Sequence, residues 1–294
     1  MAEAAARRDS EEPACADLRP QTASTDLDSL REFLGRHARL FVLTGAGVST
    51  DSGIPDYRDS DGEWKRPSRP VQIRDFMTDA ATRRRYWARG LVGWQHLHRA
   101  APNDAHRALA RLERAGRVEL LVTQNVDRLH QAAGSEAVVD LHGRADIVRC
   151  MSCERRVPRA DFQSELVDLN PAWAELGARA APDGDADVAG ADYESFRVPD
   201  CAACGGTLKP DVVFFGESVP KERVERAMRA LADADAALVI GSSLMVFSGY
   251  RFARAAAELR KPIAAVNIGR TRADDVLTIK VAATCASVLA ACVA

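Results

Sequence analysis

The segment 39–58 constrains the fold of this chain more than any other, because it joins an apolar strand to a loop of very small residues. The strand reads Leu-Phe-Val-Leu at 40–43, and Gly-Ala-Gly follows at 45–47, where the strand should end. Residues this small let backbone N–H groups approach a phosphate closely. An ordinary tight turn would also explain two glycines, but it would not need the Asp-Tyr-Arg run at 56–58. The segment therefore predicts a nucleotide site with reactive chemistry beside it.

The loop departs from the glycine pattern that dehydrogenases use for dinucleotides. That pattern, G-x-G-x-x-G, requires a third small residue at position 50, and Thr50 stands there instead. This departure disfavours an NAD dehydrogenase but not dinucleotide binding as such.

Composition and net charge indicate which partners and which cellular compartment to expect. The net charge of −2 gives no reason to expect nucleic acid or an anionic membrane as a partner. The chain lacks an apolar run of the roughly 18 residues that a spanning helix needs, and its acidic N-terminal segment lacks the apolar centre of a signal peptide. We expect a cytoplasmic protein in which residues 1–26, rich in Ala, acids and Pro, form a disordered tail.

Strand-like and helix-like segments alternate along most of the chain, which predicts an α/β fold with a parallel sheet. The predicted strands are 118–123, 138–141, 208–215, 236–240 and 263–268. The predicted helices are 79–99, 103–114, 221–232, 249–260 and 284–292. Polar clusters follow several of these strands, at 45–47, 124–127, 142–143, 241–243 and 267–269. Because ligands of such sheets bind beyond the carboxyl ends of the strands, we expect these clusters to share one rim.

Four of the seven cysteines form two C-x-x-C pairs, Cys150/Cys153 and Cys201/Cys204. Four thiolates close a tetrahedral shell around zinc and leave no position for water, so the pattern predicts one structural zinc ion. Four buried free thiols and a redox pair are the alternatives. The surrounding segment 150–204 has few helix signals, and its acidic part, 182–194, is predicted to be a surface loop.

Taken together, these runs resemble the sirtuins, a family of NAD-dependent protein deacylases, over roughly residues 28–292. The resemblance rests on the runs 45–58, 123–130, 141–143, 209–217, 241–244 and 266–269 and on the two cysteine pairs, all in the family's order. Tyr86, Arg89 and the runs 248–252 and 271–275 resemble the class II branch, which includes a vertebrate mitochondrial member. Tyr57 replaces the commoner Phe of the family and Val126 the commoner Ile.

The resemblance implies a Rossmann-like, doubly wound parallel sheet with a smaller zinc-binding domain. It assigns 27–144 and 208–294 to the NAD-binding domain and 145–207 to a zinc ribbon, with a helical insertion at 68–104 joining the small domain. It also implies an NAD site built from Gly45, Ala46, Gly47, Ser49, Pro55, Asp56, Tyr57, Arg58, Gln124, Asn125, Val126, Asp127, Gly241, Ser242, Ser243, Asn267, Ile268, Gly269 and Cys285. Gly45 to Ser49 would hold the pyrophosphate, and Asp56 the nicotinamide carboxamide.

The implied reaction moves an acyl group from a lysine of a protein substrate to ADP-ribose and releases nicotinamide. The resemblance places His142 as general base, with Asn125 in the catalytic set, although a lone histidine could also be an ordinary core residue. Val213, Phe215, Gly216 and Glu217 would line the substrate cleft. Mono-ADP-ribosyl transfer from the same NAD site and a zinc ribbon that reads nucleic acid are the alternatives.

Tyr86 and Arg89 lie three residues apart on a predicted helix and so share a face. In the family such a pair marks a pocket for acidic acyl groups, because arginine binds a carboxylate with two parallel hydrogen bonds. The alternative is that Arg89 is one more solvated arginine beside Arg83, Arg84 and Arg85. The resemblance also leaves open whether the protein removes longer acyl groups, such as lipoyl or branched chains.

Overall fold

The computed structural model of this chain describes residues 21–65, 70–176, 179–188 and 191–293. The helices are α1 Gln21–Arg36, α2 Ile73–Thr78, α3 Ala80–Arg99, α4 Asp104–Arg114, α5 Leu129–Ala132, α6 Arg159–Leu169, α7 Pro171–Ala174, α8 Lys221–Asp233, α9 Phe247–Glu258 and α10 Cys285–Cys292. The strands are β1 Leu40–Thr44, β2 Val118–Thr123, β3 Val138–Asp140, β4 Gly143–Cys150, β5 Arg156–Pro158, β6 Arg179–Ala180, β7 Ala186–Asp187, β8 Leu208–Val212, β9 Ala236–Ile240, β10 Ile263–Val266 and β11 Ile279–Val281.

A six-stranded parallel sheet forms the centre of the larger unit, in the order β3-β2-β1-β9-β10-β11. The chain winds outward from β1 to β3 and then returns to place β9 on the other side of β1. The strand order therefore reverses between β1 and β9, which is where ligands of doubly wound sheets bind. The predicted Rossmann-like fold is confirmed.

Alternate residues of the buried strands supply two separate cores. Val42 and Leu238 face α1, α4 and α10, whereas their neighbours Phe41 and Val239 face α8 and α9. Strands covered on both sides need apolar residues at every position, which explains their continuous hydrophobic runs.

The predicted helix after Asn103 is confirmed, together with its cap. The Asn103 side chain accepts a hydrogen bond from Ala105 N at 2.9 Å, and His106 accepts one from Asn103 N at 3.3 Å. This reciprocal pairing satisfies backbone donors that the first turn of a helix leaves unpaired.

A smaller unit packs around the antiparallel sheet β5-β4-β8. Its core joins Phe76 and Trp87 from α2 and α3 to Phe162 and Leu166 from α6. The helix α6 lies in the segment where few helix signals were expected. Only part of its surface is apolar, and packing against Trp87 stabilises it. The boundaries 27–144, 145–207 and 208–294, and the assignment of 68–104 to the small domain, remain predictions.

The prediction of a surface loop at 182–194 is wrong for its first half. Ala186 is fully buried, and the turn before it lies directly on α3. Helix α1 begins at Gln21, so the last residues of the expected tail 1–26 are helical, and 1–20 lie outside the described residues. Within the described part of the chain, none of the helices is long and apolar enough to cross a membrane.

Candidate functional site

A cavity of about 950 Å³ lies beyond the carboxyl ends of the parallel strands. Most of the residues predicted for the site line it: Gly45, Ala46, Gly47, Asp56, Tyr57, Arg58, Gln124, Asn125, Val126, His142, Val213, Phe215, Gly216, Glu217, Gly241, Ser242, Ser243, Asn267, Ile268, Gly269 and Cys285. Small-molecule sites enclose roughly 300–1,000 Å³, so this cavity has room for a large ligand. The polar clusters that follow the predicted strands therefore share one rim.

The loops that follow β1 and β9 pack backbone against backbone at the reversal of strand order. A Cβ on Gly45 would lie 2.9 Å from the carbonyl oxygen of Gly241, and one on Gly47 would lie 2.9 Å from Gly241 Cα. Gly241 itself has φ +62, and a Cβ there would lie 2.3 Å from Val48 N. Glycine is required at these positions, because a side chain on either loop would collide with the other, and Gly47 N donates across the junction to Gly241 O at 2.8 Å.

Ser49 and Asp127 lie beneath the cavity rather than on its wall. The Ser49 hydroxyl donates to Asp127 Oδ2 at 2.7 Å and accepts from Asn125 Nδ2 at 3.1 Å. Ser49 is fully buried, and burial raises the pKa of the Asp127 carboxyl. The structure thus gives the Ser49 hydroxyl a role in holding Asn125, where direct phosphate contact was expected. Pro55 also lies outside the set of described residues that line the cavity.

The segment after the glycine loop is fixed by an ion pair and aromatic stacking. Lys65 pairs with Asp56, and the Arg58 guanidinium lies 4.1 Å from the centre of the Trp64 ring. Trp64 also contacts Tyr57 and Phe215, with ring centres 5.8 Å apart in both pairs. The Tyr57 ring is thereby held at the cavity wall, between the glycine loop and the predicted substrate cleft.

The far end of the cavity is closed by the loops after β10 and before α10. Asn267 Nδ2 donates to Gly269 O at 2.8 Å, and a Cβ on Gly269 would lie 2.6 Å from Ser60 O. Burial raises the pKa of the Cys285 thiol to about 12, so this cysteine is an unreactive wall residue at neutral pH.

His142 follows β3 and presents its ring to the middle of the cavity. Nδ1 lies 2.9 Å from the carbonyl oxygen of Gln124, which can only accept, so Nδ1 carries the proton. The pKa of His142 is lowered to about 4, mainly by burial, with the nearby cations Arg223 and Arg251 acting in the same direction. At neutral pH the ring is therefore uncharged, and Nε2 has a lone pair that can take up a proton.

Ser248, at the start of α9, is a site residue that the sequence argument missed. Its hydroxyl donates to His142 Nε2 at 2.7 Å. Its run was noted as a resemblance to the class II branch, but its place beside His142 depends on how the loop after β9 folds back. Sequence offers no local signal for that contact.

The wall formed by 212–217 is held from below by a buried lysine. Lys209 is 2% exposed, and its ammonium lies 3.1 Å from Glu217 Oε2 and 4.5 Å from the centre of the Phe214 ring. Glu217 Oε2 also accepts from Phe214 N at 2.9 Å. Glu217 therefore lines the cavity, as the sequence predicts. Its carboxylate also holds the segment 212–217 in place through Lys209 and Phe214 N.

Tyr86 and Arg89 line a second cavity of about 150 Å³ beside the first. The two cavities share wall residues that include Tyr57, Trp64 and Phe215. Arg89 does not point into bulk solvent. Its guanidinium bonds to the turn at 184–186 of the small unit.

The four cysteines of the two C-x-x-C pairs lie together at one end of the small unit. Their sulfur atoms all lie within 4.8 Å of one another, with Cys150–Cys204 at 3.5 Å and Cys153–Cys201 at 3.8 Å. Zinc–sulfur bonds of about 2.3 Å in a tetrahedron put neighbouring sulfurs about 3.8 Å apart. The cluster therefore suits one structural zinc ion, and none of these four described cysteines lines the large cavity.

Comparison with known proteins agrees with this geometry. A family model described as the Sir2 family matches residues 45–248. The chain belongs to this family. The match runs from the glycine loop to Ser248, so it spans most of the walls of this Sir2 protein's large cavity.

Relatives of this Sir2 protein are similar over most of their length. An NAD-dependent protein deacetylase of Xanthomonas campestris pv. campestris (strain 8004) is 64% identical over 262 residues, which cover 89% of both chains. The NAD-dependent protein deacylase Sirt4 of Drosophila melanogaster is 48% identical over 266 residues, which cover 90% of this chain and 85% of that protein. A solved complex described as Sir2-p53 peptide-NAD+ superimposes with a TM-score of 0.70 at 28% identity, covering 90% of this chain and 95% of the other.

Proposed function

We propose that this protein is an NAD-dependent protein-lysine deacylase that forms nicotinamide, the deacylated lysine and 2'-O-acyl-ADP-ribose. The observation that carries the proposal is His142, whose uncharged ring presents a basic nitrogen to a dinucleotide-sized cavity. The names of the relatives from Xanthomonas and Drosophila support the same activity.

The rim of the cavity has the shape and the donors that NAD requires. The glycine loops after β1 and β9 would let the pyrophosphate lie close to their backbone, and Asp56 would accept a hydrogen bond from the carboxamide. The loops around Asn267 and Cys285 would enclose the adenosine half. When bound, NAD supplies a ribose carbon that the acyl oxygen attacks as nicotinamide leaves. Tyr57 would shield that position from water.

His142 would act after nicotinamide has left, as the base that takes a proton from a ribose hydroxyl at Nε2. The carbonyl of Gln124 keeps the ring in the tautomer that has this nitrogen unprotonated. Asn125, held from below by Ser49, would orient the ribose beside it. Positioning of this kind, in a largely buried site, makes one proton transfer worth ~100- to 10,000-fold in rate.

A substrate peptide would lie between the segments 213–217 and 244–246, which face each other across the cavity mouth. An extended peptide pairs through its backbone, so affinity would depend little on sequence. The acyl-lysine side chain would then enter between Phe215 and His142, toward Tyr57.

One experiment tests the proposal directly. The purified protein is incubated with NAD and peptides carrying acetyl-, succinyl-, glutaryl-, methylglutaryl- or lipoyl-lysine, and the products are analysed by mass spectrometry. Nicotinamide and an acyl-ADP-ribose from any one peptide are the expected result. ADP-ribose attached to protein, with every peptide unchanged, would instead establish mono-ADP-ribosyl transfer.

Three narrower expectations remain predictions. Nucleic acid and membranes are not expected as partners, an expectation that the net charge of −2 supports. The cytoplasmic location and the class II assignment rest on the sequence argument alone.

A further inference from the structure

The acyl end of the site contains an arginine that already has a carboxylate partner. Arg89 Nη2 donates to Asp185 Oδ2 at 2.6 Å, and Arg89 Nε donates to the carbonyl oxygen of Ala186 at 2.9 Å. The Arg89 side chain is only 19% exposed. Nε and Nη2 form one edge of the guanidinium, so these two bonds occupy the side-on edge through which arginine binds a carboxylate with two parallel hydrogen bonds.

The turn that supplies Asp185 is fixed in place by the backbone of α3. A Cβ on Gly93, one helical turn beyond Arg89, would lie 2.3 Å from Gly184 O and 2.4 Å from Asp185 O. Gly184 has φ +76, and Ala186 is fully buried. The turn therefore keeps Asp185 beside Arg89, and Ala186 N, which donates to Asp185 Oδ1 at 2.9 Å, helps to orient the carboxylate.

The pair forms part of the wall of the 150 Å³ cavity, together with Tyr86 and Phe214. This cavity continues from the large one past Tyr57 and Phe215, in the direction that the acyl group of an inserted lysine would take. At roughly 30 Å³, the volume that one water molecule occupies in the liquid, this cavity corresponds to about five groups of that size. A second carboxylate placed there would meet Asp185 as well as Arg89, and its charge would be opposed.

We propose that Asp185 is a specificity-determining residue that makes this pocket select neutral acyl chains with about five non-hydrogen atoms beyond the carbonyl group over chains that end in a carboxylate. The proposal rests on the deacylase activity proposed above and names its substrate class. Asp185 neutralises the charge on Arg89 that would attract an acidic acyl group. The rest of the wall is mostly apolar, with Tyr86 and Phe214 among its aromatic residues, and its other charged residue, Asp56, is also a carboxylate.

Two lysine modifications of nearly equal shape test the proposal. Succinyl ends in a carboxylate, and 4-methylpentanoyl replaces its two oxygens by methyl groups. For the wild-type protein we expect a higher kcat/KM with 4-methylpentanoyl-lysine peptide. Asp185→Asn should shift the ratio toward succinyl by about 10- to 100-fold, because Arg89 then lacks its charged partner. Glu194→Gln removes an exposed charge elsewhere in the same segment and should leave the ratio unchanged.

Further variants separate specificity from damage to the fold. Arg89→Gln, added to Asp185→Asn, should abolish the gain in succinyl activity, because no cation at this position then attracts the acyl carboxylate. Thermal unfolding shows which variants are folded. A wild-type preference for succinyl, or a ratio that Asp185→Asn leaves unchanged, would overturn the proposal.

Peptide binding measured without NAD tests the role of Asp185 independently of the proposed deacylase activity. Fluorescence anisotropy with the two labelled peptides, without NAD, should show the same order of affinities and the same shift in Asp185→Asn. If no peptide, acetyl-lysine included, yields acyl-ADP-ribose, the proposed function fails while the binding order still decides the role of Asp185. Equal binding of both peptides by the wild-type protein and by Asp185→Asn would reject that role.

Discussion

The Ser248 hydroxyl donates a hydrogen bond to His142 Nε2 at 2.7 Å, on the nitrogen that would take up a proton in the proposed reaction. On the opposite side of the ring, Nδ1–H is bonded to the carbonyl of Gln124. Both bonds favour one neutral tautomer. The structure thus holds the base in a single form and orientation before any ligand binds.

Removing the Ser248 hydroxyl should change the pH dependence of acyl transfer. A donor to Nε2 stabilises the unprotonated nitrogen, so Ser248→Ala should raise the pKa of His142 from its low value toward its ordinary one. The acid limb of kcat/KM should then move up by as much as about 1 pH unit. Nicotinamide release, which precedes the action of the base, should change little. Ser164→Ala, at an exposed position of α6, is the control. An unchanged acid limb would contradict this role.

Replacing His142 should abolish acyl transfer without unfolding the protein. We expect His142→Ala to abolish formation of acyl-ADP-ribose, because no other base lies at this point of the cavity among the described residues. The ring faces the cavity and not the packed core, so the melting temperature and the affinity for NAD should stay close to wild type. Mass spectrometry, thermal unfolding and calorimetry measure these three quantities, with His96→Ala as the exposed control. If His142→Ala unfolds, the histidine is an ordinary core residue.

Contacts in the site differ in how far the sequence predicts them. The shared rim could be predicted from sequence, because parallel strands end at the same edge and residues such as Gly45 and His142 follow them directly. Ser248 and Asp185 could not, since each meets its partner across about a hundred residues of chain, 106 for Ser248–His142 and 96 for Asp185–Arg89. Such contacts depend on how loops fold back, and no local pattern encodes that.

Removing one cysteine of the cluster should release the zinc ion and loosen the small unit. Cys153→Ser leaves three thiolates, which cannot close a tetrahedral shell, and β4, β5 and β8 then lose the link that joins their ends. We expect less than one zinc per chain by atomic absorption and a lower melting temperature. Cys292→Ser, at a partly buried position of α10, is the matched control. A variant of Cys153 that keeps its full zinc content and stability would contradict the four-cysteine assignment.

Buried histidines beneath the cavity should make stability depend on pH. His106 is fully buried, its Nδ1 accepts from Asn103 N, and burial lowers its pKa to about 4. Between pH 4 and about 6.5 the unfolded chain binds a proton at this residue and the folded chain does not. The contribution of His106 to the free energy of unfolding therefore increases with pH across this window, by about 3 kcal/mol in total, and is lost on acidification.

Substituting His106→Gln tests this contribution, because glutamine can make the same reciprocal helix cap without a titrating group. We expect the free energy of unfolding of His106→Gln to fall less than that of wild type between pH 6.5 and pH 4, by up to about 3 kcal/mol. Urea denaturation at a series of pH values measures the difference. His96→Gln, in which an exposed histidine is removed, should follow the wild-type curve. Parallel curves for wild type and His106→Gln would mean that His106 is protonated equally in both states, and the effect of burial on its pKa would then be refuted.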